Sequence, residues 1–170
     1  MTLNEQIAFQ SKEHAEAMRY MSNAKETLQR AEKRDDGLYN DDKYVRTACG
    51  TAYLGVLRAL EAWLVLKGVE IPKKKKHATI EFFLFNVAKL DKKLLDHLNS
   101  AYDILHLDGY YRGTKNVKMI EAGFDEAYYI IDKIKPENPI EVADSRSNRV
   151  KRFLNGMMIS LAVMFMRKPY

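Results

Sequence analysis

The residues of this chain best equipped for chemistry lie in the run YDILHLDGYYRGTKN, from Tyr102 to Asn116. Tyr102, His106, Asp108, Tyr110, Tyr111, Arg112, Lys115 and Asn116 bring an imidazole, phenol rings, a carboxylate and two cations into one short stretch. Arg112 and Lys115 suit a phosphate, a helix beginning near Asn116 would offer unpaired amides to an anion, and a tyrosine ring would stack on a base. His106 as base and Arg112 as the cation facing a phosphorane would also serve a metal-independent ribonuclease. The plainer reading is a structured turn whose tyrosines cover the end of a bundle and whose charges are solvated.

Elsewhere the chemistry thins out. Asp103 and His106 stand one helical turn apart, but a dinuclear carboxylate bundle needs Glu from two helices and a Glu-x-x-His pair from each of two more. His-Glu-x-x-His, a phosphate-cradling glycine loop and a dinucleotide glycine fingerprint are all missing. No metal and no cofactor is expected. Cys49 is the sole cysteine, so an internal disulfide is excluded, and its small-residue surroundings predict a buried structural thiol. Asn86, Asp96 and His97 could support acid–base work, although nothing in their spacing demands it.

These groups need elements to hold them, and the organising one is the stretch 41–67, DDKYVRTACGTAYLGVLRALEAWLVLK. Val45, Ala48, Ala52, Val56, Ala59, Leu60, Trp63 and Leu66 follow the three-and-four spacing of one helical face, and Tyr53, Leu54, Leu57, Leu64 and Val65 make the opposite side almost as apolar. A helix greasy nearly all round is surrounded by neighbours, which predicts a central rod. Before it, Thr2 and Glu5 have capping-box spacing. Ile7, His14, Met21 and Leu28, with Met18, Ala24 and Ala31, predict a helix to about Arg34 with His14 on its inner seam.

After Gly68 and Pro72 comes the charged run Lys73 to Lys76. A short helix is then expected over 77–87 with Ile80, Phe83, Leu84 and Val87 inward; its β-branched and aromatic content also permits a strand, but no second strand exists to pair with it. Asp91 caps a helix with Leu94, Leu98, Ala101, Tyr102 and Leu105 inside, and helix should give out where Gly109 and Gly113 interrupt HLDGYYRGTKN. A last bundle helix from Asn116 carries the seam Val117, Ile120, Phe124, Ala127, Ile131 and Ile134.

The fold class expected is therefore all-α, an antiparallel up-and-down bundle of four to five helices with an additional C-terminal helix. Its divisions are 1–135 for the bundle, a proline-containing hinge over 136–144, and 145–170 for a basic, then apolar helix packing on the bundle or on a partner. The chain's 170 residues, 46% apolar, suit one domain with a substantial core. A net charge of +5 is concentrated at Lys73 to Lys76 and at Arg146, Arg149, Lys151 and Arg152. Such runs are solvated surface or touch phosphate, and neither has interleaved aromatics for base stacking. The apolar end, with Met157, Met158, Met164 and Met166, is too short for an ordinary membrane span and suits packing or dimer exchange, with membrane-surface insertion as the alternative. A polar N-terminus without signal-peptide features predicts a cytoplasmic protein.

The order of elements resembles the HEPN-like fold, a family of small bacterial helical bundles found in toxin–antitoxin pairs and beside nucleotidyltransferases. The resemblance covers roughly residues 11–135. It rests on YVRTACGTAYLGVLRALEAWLVLKG as central helix and on LNSAYDILHLDGYYRG followed by EAGFDEAYYIIDKI. In toxin members of the family an Arg precedes a His or its Tyr equivalent by four to six residues. Here no arginine has a histidine at that spacing; the region around Leu105 is apolar, and His106 precedes Arg112 instead. The resemblance therefore implies a non-catalytic member that binds a nucleotide, RNA or a protein partner such as a nucleotidyltransferase, as a homodimer, with the ribonuclease of His106 and Arg112 as the alternative. A further alternative is a structural protein associating through its C-terminal helix.

Overall fold

Helix α2, Asp42–Leu66, is the rod about which the other elements pack. In the computed structural model, which describes residues 1–72 and 78–136, it touches α1 (Leu3–Gln29), α3 (Ile80–Leu90), a π-helix (Tyr102–Arg112) and α5 (Val117–Asp132). The remaining helix, α4 (Lys92–Ala101), runs directly into the π-helix and packs on α3 and α5. The protein is an all-α antiparallel bundle; among the described residues pairing of the β type is limited to two isolated bridges, Lys33 with Tyr39 and Leu38 with Asn116. These residues belong to one compact unit, Met1–Pro136. The Lys73 to Lys76 run, the hinge over 136–144 beyond Pro136, and the C-terminal helix with its basic cluster and methionines lie outside the described residues.

The rod is buried because its sequence leaves little to solvate. Val45, Ala48, Ala52, Val56, Ala59 and Leu60 are fully buried, and Tyr53 and Leu64 from the other side nearly or fully so. Leu57, Val65 and Leu66 are partly buried, and Leu54 is about half exposed. By length and composition α2 could cross a bilayer, but 56% of its most apolar window is buried inside the bundle, as in the core helix of a packed domain. Gly55 lets α1 and α2 lie close together: a β-carbon there would stand 3.1 Å from the Tyr20 β-carbon and 3.2 Å from the Ala17 carbonyl oxygen.

Local signals set most of the boundaries. Thr2 and Glu5 form the reciprocal capping box, while Asp41, Asp91 and Asn116 each accept a first-turn amide of α2, α4 and α5. The α5 seam is buried at Val117, Ile120, Phe124, Ala127, Ile131 and Ile134. Residues 80–90 form a helix, with Phe83 and Val87 inward.

Two expectations require correction. Helix α1 stops at Gln29 rather than near Arg34, because Glu32 turns into the left-handed region (φ 49°) and the carbonyls of Ala31 and Glu32 accept the Asn40 amide. Its inner face also holds a carboxylate: Glu13 is buried and paired with Arg58 at 2.6 Å, whereas His14 lies at the rim. Helix does not give out after Leu105. It widens into the π form and continues through Gly109, ending only at Gly113, the position where φ is 70°.

Candidate functional site

Helices closed by i→i+5 hydrogen bonds are rare and mostly confined to single turns within α-helices, often at functional sites. Here the π form extends over eleven residues, Tyr102–Arg112, and its last bond joins the Gly113 amide to the Asp108 carbonyl. Two features hold it in place. Gly109 lies against α2 so closely that a β-carbon there would stand 2.5 Å from the Cys49 sulfur and 2.7 Å from the Cys49 β-carbon. The second is a guanidinium across the helix end. Arg46 Nη1 donates to the carbonyls of Tyr110 (3.0 Å) and Tyr111 (2.6 Å), Nη2 donates to that of Arg112 (3.0 Å), and Nε is fixed by Asp42 at 3.1 Å. A cation among unpaired C-terminal carbonyls satisfies acceptors that the helix cannot and complements its dipole.

With its backbone so held, the π-helix displays a row of rings. Tyr102, His106 and Tyr110 recur every four residues, with ring centroids 5.2 and 6.0 Å apart and nearly parallel planes. Tyr53 of α2 backs His106 at 4.7 Å, and Tyr111 meets its edge at 4.9 Å. The row opens outward along its length. Tyr53 is buried, Tyr102 and His106 are half-buried, and Tyr110 and Tyr111 are 45% and 63% exposed. Burial pushes the Tyr53 hydroxyl far above the usual phenol range and lowers the His106 pKa below 6.5, so the imidazole is mainly neutral at pH 7.

The sequence-derived site residues therefore divide into three groups. Tyr102, His106, Tyr110 and Tyr111 form one aromatic cluster. Asp108 and Arg112 form an ion pair along a separate i,i+4 row of the same helix. Lys115 and Asn116 lie beyond the π-helix, in the link to α5. Arg112 and His106 thus belong to different rows. The helix start at Asn116 is also not open to an anion in the way expected: the Val117 amide donates to the Gly37 carbonyl (3.0 Å), the Met119 amide to the Asn116 side chain (3.0 Å) and the Ile120 amide to the Asn116 carbonyl (3.1 Å). The Val117 and Met119 amides, which a bare helix start would leave free, are thus already engaged, and the Ile120 bond is the first within the helix itself.

Two further polar candidates, His97 and Asn86, have structural partners. His97 pairs through Nδ1 with Glu126 and stacks on Tyr129, and Asn86 donates to the Phe82 carbonyl at 2.8 Å. Among the described residues no three His, Cys, Asp or Glu side chains gather as metal ligands. Cys49 is buried, and desolvation pushes its thiol up to about 12. Two participants escaped the sequence reading: Arg46, which acts on carbonyls more than sixty positions away, and Tyr53, which read only as core. Nothing in the local sequence of α2 signals either role.

The class defined by these features is a helical bundle in which a ring-bearing π-helix is clamped against the central rod. The chain belongs to the family described as Domain of unknown function (DUF5618), whose model matches residues 12–136. A solved structure of a protein of unknown function from Dyadobacter fermentans is similar, at 36% identity and a TM-score of 0.65, over 73% of this chain and 94% of the other. No curated protein matches.

Proposed function

We propose that the protein is a non-catalytic, HEPN-like binding module whose π-helix stacks on the bases of single-stranded RNA or of a nucleotide. The observation that carries this reading is the aromatic row itself: half-buried Tyr102 and His106 support Tyr110 and Tyr111, whose rings reach solvent on a backbone fixed by Arg46. Stacking on a rigid aromatic platform needs no particular base, and Arg112 and Lys115 nearby supply positive charge for a phosphate backbone. A cytoplasmic location, a homodimer and a nucleotidyltransferase as protein partner accompany this proposal.

The reading is tested by fluorescence anisotropy of a labelled uridine decamer added to the full-length protein. Stacking contributes about 1–3 kcal/mol per base, so Tyr111→Ala should weaken binding by roughly 5- to 150-fold. Absence of RNA and mononucleotide binding, or equal binding by the variant, removes the proposal. The ribonuclease alternative draws on the neutral His106 imidazole, which could accept a proton. Against it stands Arg112, paired with Asp108 in another row. Intact oligomer after prolonged incubation, or cleavage equal in His106→Ala, eliminates that alternative.

A further inference from the structure

Tyr110 and Tyr111 are the exposed rings of the aromatic cluster, and they do not face the same way. Their centroids are 5.1 Å apart and their planes cross at 66°. A base laid on one ring and its neighbour laid on the other are turned through that same angle. Successive bases in a helical strand instead lie parallel, about 3.4 Å apart. The two rings together therefore fit a pair of neighbouring bases that have come apart, and they do not fit a pair still stacked on each other.

The crossing is set from within the protein. His106 neighbours both rings, with its plane 22° from that of Tyr110 and 88° from that of Tyr111. Turning Tyr111 parallel to Tyr110 would break its edge contact with the imidazole, the arrangement that aromatic quadrupoles favour. Tyr110 in turn rests on the bare backbone of α2 at Gly50, where a β-carbon would stand 3.1 Å from the ring. Beneath both, Arg46 holds the Tyr110 and Tyr111 carbonyls at 3.0 and 2.6 Å, so the two side chains leave a fixed piece of backbone.

We infer that the crossed rings select single strands whose neighbouring bases splay apart, and so take uridine-rich RNA in preference to adenosine-rich RNA; this rests on the base-stacking reading above. A single ring accepts any base, and the preference arises from the angle between two. Uracils stack weakly on one another and leave the strand free to bend, whereas an adenosine run is already stacked and must be opened at the occupied step. Adenine covers more of one tyrosine ring, which works in the opposite direction. Opening the step outweighs that gain, because a whole base–base contact is lost and only additional overlap is won.

The test is fluorescence anisotropy of end-labelled uridine and adenosine decamers with the full-length protein. The parent should bind the uridine decamer about fivefold or more tightly than the adenosine decamer, the difference being the cost of unstacking one step. In Tyr110→Ala one exposed ring remains, and the preference should vanish or reverse toward adenosine. Equal or tighter binding of the adenosine decamer by the parent, or a uridine preference that persists undiminished in Tyr110→Ala, overturns the inference while leaving base stacking at the π-helix in place. Binding of neither decamer removes the stacking reading itself, and the inference with it.

Discussion

Cys49 and Gly109 touch so closely that the glycine's missing β-carbon would stand 2.5 Å from the cysteine sulfur. This contact seats the π-helix on the central rod. Gly109→Ala should overpack it, costing about 1–3 kcal/mol in urea denaturation. Trimming Cys49 to alanine cannot relieve the clash, because the Cys49 β-carbon itself would be 2.7 Å away. In a Cys49→Gly background the same substitution should cost markedly less. A double-mutant cycle with no coupling between the two positions would show that the contact does not set the π-helix in place.

Arg46 is expected to matter through carbonyls rather than through any acidic partner. Arg46→Ala leaves the carbonyls of Tyr110, Tyr111 and Arg112 without their donor and should destabilise the protein by about 2 kcal/mol. Arg46→Lys, lacking the planar fork, should recover only part of this loss. Amide exchange would locate the effect, with faster exchange at the Gly113 and Thr114 amides, both of which donate to the Asp108 carbonyl. Unchanged exchange at these sites in Arg46→Ala would contradict the clamp.

The Cys49 thiol should be inert in the native protein. It is fully buried with its pKa raised to about 12 by desolvation, so both access and thiolate fraction are low at pH 8. Labelling with an aromatic disulfide reagent should proceed only at the rate of opening and become immediate in denaturant. Rapid stoichiometric labelling of folded protein would place the thiol at the surface.

Stability should decline on acidification from pH 7 to pH 5. Burial lowers the pKa of His14 and His106 below 6.5, so the unfolded chain takes up protons in this window that the fold refuses. The contribution is complete above pH 6.5 and is lost as the pH falls through the folded-state values. Carboxylates with lowered values, such as Asp42 and Asp91, add their own loss only at lower pH. His106→Phe keeps a ring in the row while removing one titration, and should flatten the decline. Identical slopes for parent and variant between pH 7 and 5 would remove His106 from the account.

Glu32 offers a test of backbone strain. With φ at 49°, Glu32→Gly should relieve the left-handed penalty and, after the entropy of the added glycine in the unfolded chain, stabilise the protein by about 0.5–1 kcal/mol. A lower thermal midpoint would mean that the Glu32 side chain stabilises the turn by more than its conformation costs.

Periodicity and caps carried the architecture. The rod, the α5 seam and the caps Thr2, Asp41, Asp91 and Asn116 depend on residue type within a few positions, and a helix's greasy face must be covered whatever its neighbours are. Grouping Tyr102, His106, Tyr110 and Tyr111 was also legible, because all belong to one short stretch. The expected loop there failed for a tertiary reason: the glycine that reads locally as a breaker is a docking surface for Cys49.

What the sequence alone determined is which segments are helical, where most of them start, and which faces turn inward, because these follow from hydrogen bonding and burial within a turn or two. Tertiary structure alone decided the π geometry, the Arg46 clamp and the Tyr53 backing. Each depends on groups far apart in the chain, and the free energy of such contacts exists only after packing has brought the helices together.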